Sequence, residues 1–330
     1  MKARIDVILL LVIVFIIGIA FIGNNISGRQ LWNIEPEIGT ARWTCTDNQD
    51  LIGFYWNWDL YKEEVRLINT CTGRSSLIGF LDDFVLYPWS AYAINREANE
   101  IYINGRIGRE DPDSIYTIDV RTANSTHVLL EPSSTIYYNI RDDLTLIGFQ
   151  WNFEFDEEEL VSIDPSTGAV DHLGFIEDLD FIILQMYPID TEQNILYLLG
   201  RNFPEEPEYL YKINALNGSA TRAVTDKQYV VFHVRFDSAL VGLTWNWDRW
   251  KEELRLINPD TGQSTYIGDI AQMELITPMV TTYDKKKDLI YQNGKIRGDW
   301  DTDRIFIINA TSSESRYITV DRKFDILFVL

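Results

Sequence analysis

Three stretches of this 330-residue chain set carboxylates beside indole and phenol rings: FYWNWDLYKEE (54–64), FQWNFEFDEEE (149–159) and LTWNWDRWKEE (243–253). Such neighbours suit two kinds of ligand. An aromatic face stacks on a sugar or holds a cation through its π-electrons, and a carboxylate adds charge or accepts a hydroxyl proton. The positions expected at the tips of these stretches are Asp59, Tyr61, Asp156, Asp248 and Trp250, which become the candidate ligand-binding residues. Trp56, Trp151 and Trp245 fall in strand-like runs and are expected to wedge between sheets. Asn57, Asn152 and Asn246 are expected to tie down each loop by local hydrogen bonds. The Glu pairs 63–64, 158–159 and 252–253 are expected to open the following strand and to act as edge charges against aggregation.

Other chemistry has fewer residues behind it. Of three histidines, His127 and His172 fall in predicted outer strands. His233 lies in VVFHVRF, a predicted innermost strand, where it and Arg235 would face a central channel; both are candidate ligand contacts, and a packed or water-bonded histidine is the commoner outcome. DWDTD (299–303) alternates acids but lacks the glycine and final glutamate of an EF-hand loop. Calcium is the candidate cofactor, in a site assembled across loops. No CxxC, HExxH, GxSxG or P-loop occurs, so a nucleophilic hydrolase has no local motif.

What must position these residues is a repeat. Trp56, Trp151 and Trp245 are separated by 95 and 94 residues, and so are Gly73, Gly168 and Gly262. Gly105, Gly200 and Gly294 keep the same spacings, each followed by a basic residue: Arg106, Arg201 and Lys295. Each unit divides again. A short run ending in Ile and then Asn or Asp recurs six times, with its Ile at 68, 118, 163, 213, 257 and 308. This is a strand that stops in a tight turn, where Asn or Asp bonds the backbone two residues on and Gly accepts positive φ. In the third module four strands can be placed, inner to outer: STIYYNI (A), TLIGFQW (B), ELVSID (C) and AVDHLGF (D). Four-stranded units of about 40–50 residues, repeated radially, make a β-propeller. The expected fold is therefore all-β: six blades as three tandem two-blade repeats, spanning 29–330. The opening stretches then run from strand B into the B–C loop. The loops GREDPDS, NFPEEPE and RGDWDTD add acids from the alternate blades to the same face. RQLWNI (29–34) reads as an outer strand and FDILFVL (324–330) as an inner or second strand, which leaves one terminus spare or a partial seventh blade.

The first 28 residues read differently. Lys2 and Arg4 precede Val7–Gly23, seventeen residues without a charge. That is the lower limit for a spanning helix, and the basic flank keeps its start cytoplasmic. A single-pass signal-anchor is expected, with the propeller extracellular or luminal. The alternative is a signal peptide, with Gly18 and Ala20 as the small residues before its cleavage site, giving a secreted protein. In that compartment Cys45 and Cys71 form a disulfide or remain two buried thiols. Asn25, Asn124, Asn217 and Asn309 open glycosylation sequons for a eukaryotic host. With net charge −21 and pI about 4.5, nucleic acid is disfavoured as a partner.

The LxxIDPxTG phrasing, as in VSIDPSTG (161–168), resembles the broad six-bladed group of TolB-like, NHL and SMP-30-like proteins. That resemblance implies the fold. An N-terminal anchor before a six-bladed propeller is also similar to strictosidine-synthase-like proteins, whose sites have no copy here. The expected function is a membrane-anchored or secreted binding or scaffold module, offering an acidic, aromatic rim to a protein, sugar or cationic ligand. The alternative that the resemblance implies is a calcium-dependent hydrolase of the lactonase or esterase kind, with its site in the channel. A third is a purely structural ectodomain with a plugged channel.

Overall fold

The computed structural model describes residues 50–329, apart from 82–84, 87–91, 107–113, 131–136, 142, 153, 178, 180, 183–186, 202–206 and 297. The predicted anchor, RQLWNI, Cys45 and Asn25 lie outside the described residues. Six antiparallel sheets follow one another along the chain. The first holds β1 (Asp50–Asn57), β2 (Lys62–Asn69) and β3 (Ser75–Leu81). In the second, β4 (Val85–Leu86) and β5 (Tyr92–Asn95) share the inner position before β6 (Glu100–Arg106), β7 (Ser114–Asp119) and β8 (Ser125–Leu129). The third runs β9 (Tyr137–Ile140), β10 (Leu146–Asn152), β11 (Glu157–Ile163) and β12 (Val170–Phe175). The fourth has β13 (Phe181–Ile182) and β14 (Ile189–Asp190) inside, then β15 (Ile195–Arg201), β16 (Tyr209–Asn214) and β17 (Ala220–Val224). The fifth runs β18 (Val231–Val234), β19 (Leu240–Asn246), β20 (Lys251–Ile257) and β21 (Ser264–Asp269). The sixth runs β22 (Met273–Asp284), β23 (Leu289–Ile296), β24 (Asp299–Asn309) and β25 (Ser315–Thr319). Finally β26 (Ile326–Val329) returns to pair with β1, filling the inner place of the first sheet.

This is a six-bladed propeller closed by its last strand. FDILFVL is that closing strand, which removes the spare-strand ambiguity among the described residues. Closure satisfies the edge of β1, which would otherwise present open backbone donors and acceptors.

Apolar packing between blades follows from the twofold alternation of each strand. Ile52, Phe54 and Val65 of the first blade meet Ile101, Ile103 and Tyr116 of the second. Ile147, Phe149 and Leu160 meet Leu196, Leu198 and Tyr211 in the same way, and Val241, Leu243 and Leu254 meet Ile290 and Phe306. Each such side chain, fully withdrawn from water, contributes about 1.5–3 kcal/mol before entropy is counted.

All six predicted Ile–Asn/Asp turns form. Asn69, Asp119, Asp164, Asn214, Asn258 and Asn309 each accept a bond from the backbone two residues on. The residue five places after each Ile is left-handed: Gly73, Ala123, Gly168, Gly218, Gly262 and Ser313. Four are glycine, as that conformation favours.

Candidate functional site

The three opening stretches lie at equivalent corners of the first, third and fifth blades, where the second strand turns into the third. In a propeller all such turns lie on one face of the ring, but here an even-numbered blade stands between each pair of corners. At each corner an asparagine ends the strand and folds the loop. Asn57 Oδ1 accepts from the backbone of Asp59 (3.0 Å) and Leu60 (3.1 Å). Asn152 does so for Glu154 and Phe155, and Asn246 for Asp248 and Arg249. The loop then closes through a left-handed residue: Tyr61 (φ 51°), Asp156 (φ 57°) or Trp250 (φ 53°). None of these is glycine, so each corner carries some backbone strain to hold that side chain in place.

The rings at the tips are exposed: Trp58 and Tyr61 in the first corner, Phe155 in the third blade, Trp247 and Trp250 in the fifth. Trp56 and Trp58 meet edge to face at 6.1 Å, and Phe155 leans on Phe175 at 5.0 Å. In the fifth blade, Trp245, Trp247 and Trp250 all touch one another.

The Glu pairs correct an expectation. They open the third strand as foreseen but are not edge charges: Glu63, Glu64, Glu159, Glu252 and Glu253 are all buried. Register explains the first of each pair. Glu63 lies directly across from Trp56, Glu158 from Trp151 and Glu252 from Trp245, so each shares the face that packs on the next blade. Glu63 is 1% exposed and, among the described residues, neither of its oxygens has a hydrogen-bond partner; burial, then Asp325 and Glu64, push its carboxyl up to about 8. Glu252 is 3% exposed with Oε2 unpartnered, and burial alone pushes it to about 8. At neutral pH the protonated form of each is therefore the favoured one.

The second glutamate of each pair sits in a network instead. Glu64 accepts from Asn57 Nδ2 (2.6 Å) and pairs with Arg66, whose Nε donates to Ser75 Oγ (2.9 Å). Glu253 repeats this with Asn246, Arg255 (2.7 Å) and Ser264, and adds Arg249 (2.7 Å). Burial opposes its charge, but the bonds from Arg249, Asn246 and Arg255 outweigh it and hold the carboxyl below its ordinary value. In the third blade Val161 stands where an arginine would be. There His172 Nδ1 lies 2.9 Å from Glu159, joined by Asn152 and Gln150. The networks clamp the base of each loop.

His233 and Arg235 are not brought to these corners. His233 is buried, with Nε2 3.0 Å from Thr281 Oγ1 and its ring stacked on Tyr283. Burial, then the charge of Arg96, lower its pKa to about 3, so it is a neutral packing residue. Arg235 sits in the turn after β18, at the opposite end of the blade from Trp250, and pairs with Asp237 (2.9 Å). Near the axis Tyr92 Oη reaches the carbonyls of Thr281 (3.1 Å) and Leu327 (3.2 Å), bridging the inner strands of three blades. In DWDTD, Asp299 pairs with Arg304, and Asp303 lies 3.4 Å from Lys295. Most of GREDPDS and NFPEEPE lies outside the described residues, though Glu208 is buried near Arg201 (3.8 Å). Cys71, in the first outer turn, is disulfide-bonded. Asn124 and Asn217 stand exposed in such turns, and Asn309 uses its side-chain oxygen to fold one.

Solved structures share this architecture. TolB from Acinetobacter baumannii is similar at TM-score 0.60 and 10% identity, over 85% of this chain and 66% of that one. The nidogen/laminin complex is similar at 0.56 and 10%, over 85% and 98%. An oligogalacturonate lyase in complex with manganese is similar at 0.51 and 13%, over 82% and 72%. At such identities the likeness establishes the fold: a generic, TolB-like six-bladed propeller. No family model matches the sequence, and no curated protein does either.

Proposed function

We propose that this propeller is a binding or scaffold module, held at a membrane by its N-terminal segment or secreted, that presents acidic, aromatic corners to a protein, sugar or cationic ligand. One observation carries the reading: exposed rings and acids stand on loops folded by the same asparagine at three equivalent corners, each clamped from below by a buried glutamate. Rigid scaffolds with exposed aromatic loop tips are what recognition surfaces require. The calcium-dependent hydrolase remains the second reading, supported by fold kinship.

Asp59, Asp156 and Asp248 are exposed in the three loops, so changing all three to Asn tests the proposal. Capture of partners by the full chain is expected to weaken by roughly tenfold, with the melting temperature unchanged. Unaltered capture would show that the corners are not the interface.

A further inference from the structure

The fifth-blade corner differs from its two copies. Where it has Trp250, the first has Tyr61 and the third has Asp156. Among the described residues, only here do three indoles meet. The ring centres of Trp245, Trp247 and Trp250 are 6.1, 6.3 and 6.1 Å apart, and their planes are inclined at 78°, 86° and 81°. The three rings meet edge to face as one aromatic cluster. A cation that settles within roughly 6 Å of an exposed indole face there makes a cation–π contact. Trp247 is 66% exposed and Trp250 59%, so broad ring surface faces water. The cations of the same hairpin are engaged elsewhere. Arg249 lies over Tyr266 (5.0 Å) and binds Glu253 and Asp269, and Lys251 also pairs with Asp269.

Resting on the binding reading above, we propose that the Trp245–Trp247–Trp250 corner recognises a small quaternary ammonium cation of the choline class. Indole faces attract positive charge without supplying hydrogen-bond acceptors. They therefore favour a methylated ammonium, which is weakly hydrated, over a bare one, whose water they cannot replace. The surrounding charge narrows the choice. Asp248 is exposed in the loop and the chain carries a net charge of −21, so a ligand bearing its own phosphate or carboxylate is repelled while choline is drawn in.

The test titrates the full chain with choline chloride, following tryptophan fluorescence and heat. The neutral isostere 3,3-dimethylbutan-1-ol and phosphocholine serve as comparisons. Saturable choline binding is expected, roughly tenfold tighter than either comparison. Trp250→Ala and Trp247→Ala are expected each to weaken it by about tenfold, while Leu216→Ala, at an exposed outer turn of the fourth blade, leaves it unchanged. Both tryptophans are exposed loop residues, and an unchanged melting curve verifies that the variants are folded. Equal binding of the isostere would overturn the cation–π assignment, as would absent choline binding or binding that survives both substitutions. Either result leaves partner capture through the aspartates as a separate measurement, so the two proposals fail independently.

Discussion

Raising the pH from about 6.5 to about 8.5 is expected to destabilise the propeller by several kcal/mol, and a Glu63→Gln, Glu252→Gln variant to lose far less. Both carboxyls move from an ordinary 4.5 to about 8 in the folded protein, burial being the main cause. A carboxyl whose folded pKa is raised binds its proton more tightly when folded. Its contribution is intact below the unfolded value and is lost as pH climbs toward the folded one. Near pH 7 the penalty for each is of the order of 3 kcal/mol, relative to a group that folding does not perturb. Glu208, raised to about 7 by burial, acts in the same direction. His233 acts oppositely and at acid: held neutral when folded, it favours the unfolded chain as pH falls below about 6.5. The range above 6.5 therefore isolates the acids. Melting temperatures of variant and parent should converge near pH 5 and diverge with rising pH. Parallel curves would mean that the buried carboxyls find compensation the structure does not contain.

Gly168→Ala is expected to cost roughly 3 kcal/mol or more, whereas Ala123→Gly, at the same turn position one blade earlier, should cost under about 1. Gly168 has φ +74°, and a Cβ there would lie 2.0 Å from the backbone oxygen of Leu129 in the preceding blade. Gly73 against Thr319 (1.8 Å) and Gly262 against Val224 (2.0 Å) repeat the approach. The even blades reverse it. Their turns place Ala123, Gly218 and Ser313 against Gly79, Gly174 and Gly268, each of which follows a register shift in an outer strand. The missing side chain has moved to the neighbour, so Ala and Ser are tolerated in the turn. Denaturant midpoints measure the contrast. Equal losses for the two substitutions would show that interblade backbone approach does not limit stability.

The period of about 95 residues made the blade pairs legible, because a propeller repeats each packing environment and therefore each residue that serves it. The strand boundaries of the third module and the six Ile–Asn/Asp turns followed from local chemistry, and the Asn-folded corners did too. The second role of Gly73, Gly168 and Gly262 was hidden, since it depends on which blade stands beside the turn. The Glu pairs were misread for a related reason. Two adjacent acids at a strand's start look solvated, yet Glu63 precedes Val65 by two and so continues an apolar face. Its neighbour Glu64 is buried on the other face by Arg66 and Ser75, spaced as Arg255 and Ser264 are from Glu253. That shared spacing was the available signal, and the third copy obscured it by placing Val161 where the arginine belongs and His172 as substitute. His233 was a candidate ligand contact because it lies on an inner strand, with packing the commoner outcome, and Thr281 and Tyr283 of the neighbouring blade are what it packs against.

Because β26 follows every other described strand and yet completes the first sheet, the ring cannot shut until its sixth blade has been threaded. During synthesis β1 must wait with one flank bare while five further sheets emerge. A newborn chain of this design is exposed to mispairing in proportion to how slowly it is made, and chaperone holding should matter most for β1 and least for the middle blades.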